Sequence, residues 1–170
     1  MPNMEIPVMP SSPVAMIACA IFCCNRKVYD MAQHPPLSPC TSLGKKKDTC
    51  VRRNVKAAIK KNKVTNVQVE PQQTVTVGME VFNCKPDFMV DNRIIDAKFS
   101  CDESKLRPKM PKVGTRGPVQ DFAVGAAKKT RKERIAYPKM TGPDGKRVKS
   151  VRVMGPKEAA AKKGPDCVCS

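Results

Sequence analysis

The chain has 170 residues, enough for one domain plus an accessory segment. It carries 32 Lys and Arg against 15 Asp and Glu, a formal charge of +17 that self-repels and calls for a polyanionic partner. Hydrophobic residues at 41% exclude a wholly disordered chain, and the single histidine, His34, excludes any site built from two or more histidines.

Residues 1–48 are rich in Pro, Met and Cys and read as an N-terminal segment and linker before a domain spanning 49–170. One apolar run, Pro13-Val-Ala-Met-Ile-Ala-Cys-Ala-Ile-Phe-Cys-Cys24, is too short to span a bilayer, and no stretch reaches 18 apolar residues. A short buried segment packed on the main domain is expected, with no stable membrane insertion. Pro35-Pro36, Ser38-Pro39 and Gly44-Lys-Lys-Lys47 read as linker.

A regular pattern begins at Thr49. Val51, Val55, Ala58 and Ile59 have helical spacing over 49–62, with Thr49 as the N-cap. Val64–Glu70 and the alternating Thr74–Phe82 read as strands. Two further strands, Pro86–Val90 and Arg93–Ser100, flank Asp91-Asn92. After a loop rich in Pro, Lys and Gly, Pro118 opens a helix running to about Tyr137. Lys146–Met154 is a last strand, and 156–163 a short helix stopped by Gly164. This order predicts a mixed α/β (α+β) domain.

Nine cysteines, Cys19, Cys23, Cys24, Cys40, Cys50, Cys84, Cys101, Cys167 and Cys169, do not form a compact disulfide framework by spacing. Cys19-Ala-Ile-Phe-Cys23 and Cys167-Val-Cys169 are the nearest approaches to paired zinc ligands, and neither has C-x-x-C spacing. Buried free thiols with an occasional disulfide are expected. Cys167-Val-Cys-Ser170 formally fits a prenylation motif and is read as a tail with two thiols.

The most informative stretch is Lys85-Pro-Asp-Phe-Met-Val-Asp-Asn-Arg-Ile-Ile-Asp-Ala-Lys-Phe99. If Asp91-Asn92 forms a two-residue hairpin turn, Val90 faces Arg93, Met89 faces Ile94, Phe88 faces Ile95 and Asp87 faces Asp96. Opposed residues share one face with Cβ atoms about 5 Å apart. Alternation puts Lys98 on the face of Asp96, and Phe88, Ile95, Ala97 and Phe99 on the other. Two opposed carboxylates repel unless a divalent cation or a shared proton relieves them. With a Mg²⁺ ion they suit phosphodiester hydrolysis, Lys98 orienting or deprotonating water or stabilising the developing charge. The alternative is that Asp87 caps a turn while Asp96 and Lys98 lie on a solvated strand face.

Pro86-Asp87 followed by Asp96-Ala97-Lys98 resembles the PD-(D/E)xK motif of restriction-endonuclease-like nucleases. The wider text, Lys-Pro-Asp-Phe-Met-Val and Ile-Ile-Asp-Ala-Lys-Phe-Ser-Cys, is similar to the restriction-endonuclease-fold toxin domains of bacterial polymorphic toxins, including Rhs and type VI secretion effectors. The resemblance covers roughly residues 49–155. It implies an αβββαβ core, a central mixed sheet flanked by helices, and nucleic-acid cleavage dependent on Mg²⁺ (or Mn²⁺). It also implies a cognate immunity protein, and secretion from a bacterium with or as part of a larger effector into the target-cell cytoplasm. By this resemblance Asp87 and Asp96 are metal-binding acids and Lys98 the catalytic lysine. Many members add a Glu from the first helix, but residues 49–62 contain none. That ligand falls to Glu70 or Glu80, with Glu80 carried as the candidate. Gln120, near the start of the crossover helix, matches a Gln that some members direct at the site.

Lys128, Lys129, Arg131, Lys132 and Arg134 cluster on that presumed helix, and Lys56, Lys60, Lys61 and Lys63 on or just after the first. Such cations suit phosphate contacts, which give affinity without sequence specificity. Scarce aromatics favour backbone-directed duplex binding over base readout on single strands, without separating DNA from RNA, and DNA is carried as the favoured substrate. The competing function is a non-catalytic basic nucleic-acid-binding protein.

Overall fold

The computed structural model describes residues 12–27, 29, 39–99 and 129–169. Its elements in chain order are α1 (Pro13–Arg26), α2 (Pro39–Asn62), β1 (Val67–Val69), β2 (Gln73–Val77), β3 (Glu80–Cys84), β4 (Phe88–Val90), β5 (Arg93–Ala97), α3 (Arg131–Ile135), a 3₁₀ turn at Tyr137–Lys139, β6 (Ser150–Met154) and α4 (Pro156–Lys162). The fold is a mixed α+β one. A four-stranded sheet has the order β1-β4-β5-β6, antiparallel except that β6 runs parallel to β5. β2 and β3 form a separate antiparallel ribbon.

The two faces of the sheet follow from strand alternation. Phe88, Val90, Ile95 and Ala97 pack with Met154 against α1, α2 and Ala159 of α4. Met89 and Ile94 point the other way, into Val75, Phe82 and Cys84 of the ribbon and Ala136, Tyr137, Met140 and Val148. Helices therefore cover one face, and the β2–β3 ribbon with the α3 region covers the other.

α2 starts well before Thr49 and runs through the compositional boundary at residue 48. Its buried residues, Leu43, Lys47, Cys50, Val51, Asn54, Val55 and Ala58, recur at three- and four-residue steps on one face. Thr49 is interior to the helix, and its Oγ1 donates to the Lys45 carbonyl at 2.9 Å. Residues 39–48 are thus helix and not linker. Lys47 is fully buried, donating to Asn25 Oδ1 at 2.8 Å with its ammonium 5.6 Å from the Phe99 ring.

The apolar run of α1 is buried from Met16 to Ile21 and again at Cys24. No described helix is long and apolar enough to cross a membrane. The expected strand Thr74–Phe82 is instead two strands, because Gly78 at φ +63° turns the chain and leaves Met79 exposed. The expected helix from Pro118 falls mostly outside the described residues. Within them it is reduced to α3 and the 3₁₀ turn.

Cysteine pairing goes beyond the occasional disulfide expected beside buried free thiols. Disulfides join Cys19 to Cys167, Cys23 to Cys169 and Cys24 to Cys50, while Cys84 is a buried free thiol. Sequence separations of 148 and 146 explain why spacing gave no sign of the first two. Cys167 is bonded, so it offers no thiol to a prenyl group.

The β4–β5 turn is held from outside the hairpin. Asp91 adopts φ +51°, and its N–H donates to the Asn66 carbonyl at 2.9 Å. Asn92 Nδ2 donates to Asp144 Oδ1 at 2.5 Å, and the Asn92 carbonyl accepts from Lys149 N–H at 2.7 Å. A Cβ on Gly142 would sit 2.3 Å from Asn92 Oδ1. Gly142→Ala is therefore expected to cost about 1–3 kcal/mol, measured as a lower urea midpoint with an unchanged m-value.

Candidate active site

The strand ends of β4 and β5 carry the site. The pairing of Phe88 with Ile95, Met89 with Ile94 and Val90 with Arg93 is the expected register. One step further, the Asp87 N–H donates to Asp96 Oδ1 at 2.7 Å, and the Ala97 N–H donates to Asp87 Oδ2 at 2.8 Å. Each aspartate thus accepts from the backbone of the opposite strand, which fixes both carboxylates across the ribbon. Lys98 lies on the same face just beyond β5. Its N–H donates to the Met154 carbonyl at 3.0 Å, so the ladder with β6 orients this residue too.

Two acids that the sequence did not single out join this group. Asp48, on α2, is half-buried, and its charge interacts with those of Asp87, Arg52, Lys98 and Glu70. Glu133, on α3, is buried and pairs with the Lys98 ammonium at 2.5 Å. The local sequence explains Glu133. Thr130 caps α3, accepting from the Glu133 N–H at 3.3 Å and donating to Glu133 Oε1 at 3.1 Å. Thr130-Arg-Lys-Glu133 is a capping box hidden within a basic run. Asp48 Oδ1 and Glu133 Oε2 are buried with no hydrogen-bond partner.

Electrostatics mark the cluster as strained in charge. Burial, then the neighbouring Asp87 charge, pushes the Asp96 carboxyl up to about 7. Burial and then Asp87 likewise push Asp48 up to about 7. Asp87 is also raised, chiefly by burial, against the lowering effect of the Ala97 N–H and Arg52. For Lys98, burial alone would lower the value, but the hydrogen bond and charge of Glu133, with Asp96 and Asp87, raise it overall. Tyr137 is raised by burial and then by Asp96 and Glu133.

Arg52, one helical turn beyond Asp48, binds Glu70 Oε1 at 2.8 Å and reaches Asp87 Oδ1 at 3.7 Å. Glu70 also takes Lys85 at 2.9 Å, and its N–H donates to the Asp87 carbonyl at 2.8 Å. Glu70 therefore borders the site as the partner of two cations.

The structure places the other sequence candidates elsewhere. Glu80 is on the β2–β3 ribbon, exposed and ion-paired with Arg131, while the charge of Asp48 interacts with that of Asp87. Arg131 also lies 5.5 Å from the Phe82 ring, and Lys132 Nζ donates to the Asn83 carbonyl at 3.0 Å. Both cations brace the ribbon. Lys129 and Arg134 are exposed and line a groove with Glu133, Lys149 and Ser150. Gln120 and Lys128 lie outside the described residues.

The donor set facing the strand ends is all oxygen, which suits a hard cation. Two buried carboxylate oxygens without partners, in Asp48 and Glu133, add to that fit. The carboxylates are not drawn into a tight cage: among the described residues, only Cys19, Cys23 and Cys167 bring three potential ligand atoms within 4.8 Å of one another. No family model, curated protein or solved structure matches this chain.

Proposed function

We propose that the chain is a metal-dependent nuclease hydrolysing phosphodiester bonds, with Asp87, Asp96 and Lys98 as its working residues and Asp48 as the additional acid. The observation that carries this is the backbone-locked Asp87–Asp96 pair with Lys98 on the same face. The topology supports a restriction-endonuclease-like core: a helix, a β1-β4-β5 meander, and β6 parallel to β5 after a crossover. The β2–β3 ribbon is then an insertion between the first two core strands. Asp48 lies on α2, taken as the first helix of that core, from which many members of the resembled family add a Glu and in which residues 49–62 contain none.

Asp87, Asp96 and Asp48 would hold a Mg²⁺ (or Mn²⁺) ion, which when bound polarises a phosphoryl oxygen and lowers the pKa of bound water. Lys98 is kept protonated by Glu133, so it serves as a cation facing the developing negative charge and not as a base. Glu133 is a positioning residue that acts through Lys98. Arg52 holds Asp87 from the side of α2.

Exposed Lys56, Lys60, Lys61 and Lys63 on and just after α2, with Lys129 and Arg134 beside Glu133, supply phosphate contacts. Few aromatics are present for base stacking, which favours backbone-directed duplex binding, and DNA is carried as the substrate ahead of RNA. The biological setting, an antibacterial effector toxin secreted with or within a larger protein and restrained by an immunity protein, follows from the family resemblance. Three disulfides fit a chain that passes through an oxidising compartment.

The test is cleavage of plasmid DNA and total RNA by the purified full chain, in Mg²⁺ and in EDTA. Degradation in Mg²⁺ alone supports the nuclease and names its substrate. Retained nucleic-acid binding with no metal-dependent turnover would favour a non-catalytic basic binding protein. The double change Lys129→Ala, Arg134→Ala is expected to weaken binding evenly across sequences and to reduce the slope of log K against log salt by about 2, read by fluorescence anisotropy.

A further inference from the structure

The two bridges between α1 and the segment after α4 bring the sulfurs of Cys19, Cys23 and Cys167 into one cluster, to which Cys169 is joined through its bond to Cys23. Cys19 and Cys23 are one helical turn apart on the same face of α1. Cys167 and Cys169 alternate along the segment that follows Gly164. The two disulfides lie side by side, with Cys23 Sγ 3.9 Å from Cys167 Sγ across them. The Sγ atoms of Cys19, Cys23 and Cys167 all fall within 4.8 Å of one another, and Cys169 is bonded to Cys23.

A tetrahedral zinc site with Zn–S bonds of about 2.3 Å has sulfurs about 3.8 Å apart. The 3.9 Å contact between Cys23 and Cys167 already has that length, and opening the two S–S bonds lengthens the Cys19–Cys167 and Cys23–Cys169 pairs towards it. We propose that the reduced form of Cys19, Cys23, Cys167 and Cys169 is a tetrathiolate zinc site, and that the two disulfides are its oxidised form. The inference stands on the sulfur geometry and does not rest on the nuclease assignment.

The surroundings favour the metal form. Zinc with four thiolates carries a net charge of −2, which needs compensation where water is partly excluded. Cys19 is buried and the other three are half-buried. Arg26 and Lys163 converge on the Phe22 ring, at 5.2 Å and 5.0 Å, next to Cys23. They bring two positive charges to the residue that precedes Cys23 on α1.

The conversion balances. A dithiol reductant gives each disulfide two electrons and two protons and becomes a disulfide itself. The four thiols formed then lose their protons to solvent as Zn²⁺ binds. Either state ties α1 to the chain beyond α4, so the helical layer stays closed in oxidising and in reducing surroundings. Cys24–Cys50, which links α1 to α2, and Cys84, on the opposite face of the sheet, lie outside the cluster.

The test uses the full chain reduced anaerobically with a phosphine and titrated with Co²⁺ and then Zn²⁺. The expected result is one cobalt per chain with thiolate-to-cobalt charge transfer and the visible bands of a tetrahedral S₄ site, displaced stoichiometrically by zinc. The Cys24→Ser, Cys50→Ser, Cys84→Ser variant should keep this spectrum, and Cys167→Ser, Cys169→Ser should lose it. If reduction unfolds the chain, zinc should restore its circular dichroism. Absence of 1:1 cobalt binding, an unchanged spectrum in the Cys167→Ser, Cys169→Ser variant, or failure of zinc to refold a reduced, unfolded chain would each overturn the proposal.

Discussion

Asp96→Asn and Lys98→Ala are each expected to lower metal-dependent cleavage by about 10²- to 10⁴-fold, since several kcal/mol of transition-state stabilisation would be lost. Asp48→Asn should fall in the same range, and this is the sharper test, because no motif match marks that residue. It is joined to the others by burial and charge: its carboxyl faces the Asp87 charge and keeps one oxygen buried without a partner. Glu133→Gln retains the shape and the cap of α3 but removes the charge that holds Lys98 protonated. Its loss of rate should therefore be smaller and should grow as pH rises, whereas the loss in Lys98→Ala should not depend on pH in that way. Glu80→Gln should leave the rate within about twofold, as its carboxylate serves Arg131 on the ribbon. Single-turnover rates on plasmid DNA at several pH values, beside circular dichroism to confirm folding, separate these cases. Full activity in Asp96→Asn would end the assignment of the active site to the Asp87–Asp96–Lys98 face. Full activity in Asp48→Asn would remove only the additional acid.

The hairpin was legible because its information is local. Asp91-Asn92 sets the turn, the turn sets the register, and the register places Asp87, Asp96 and Lys98 on one face without reference to the rest of the chain. The residues that complete the cluster depend on packing between distant segments. Asp48 was passed over because Thr49 has the chemistry of an N-cap, and a helix begun there excludes the residue before it. Burial of Leu43 and Lys47 on the same face overrides that local preference and extends α2. Glu133 was hidden among lysines and arginines, although Thr130 three residues earlier gives the capping-box signal. Gly78 was read as part of an alternating strand when its positive φ makes it a turn. The bridges from α1 to Cys167 and Cys169 join segments nearly the whole chain apart, and no spacing rule reaches that far.

In EDTA the chain is expected to be more stable near pH 5 than near pH 8, by on the order of 3 kcal/mol in the free energy of unfolding. Asp48 and Asp96 both sit at about 7 in the folded state, against an ordinary value near 4 in the unfolded chain. Between those values the folded chain binds more protons than the unfolded one. Stability therefore falls as pH rises through that window, and the full cost is present above about pH 7. Glu70, Glu80 and Asp144 are shifted the other way by their partners, so their contributions are lost only on further acidification, below their ordinary values. The result is a maximum near pH 5. Asp96→Asn removes a buried charge and should flatten the decline, leaving the variant more stable than the parent at pH 8 while its cleavage is lost. Millimolar Mg²⁺ should stabilise the parent at pH 8 by mass action and stabilise Asp96→Asn far less. Urea melts at pH 5 and pH 8, with EDTA and with Mg²⁺, measure all four quantities. Equal stability of the metal-free chain at both pH values would mean that Asp48 and Asp96 are not held protonated by burial and by the Asp87 charge. A decline with pH that Asp96→Asn reduces and Mg²⁺ offsets would mean that these acids are held buried together, at a cost to the fold, for the sake of a cation.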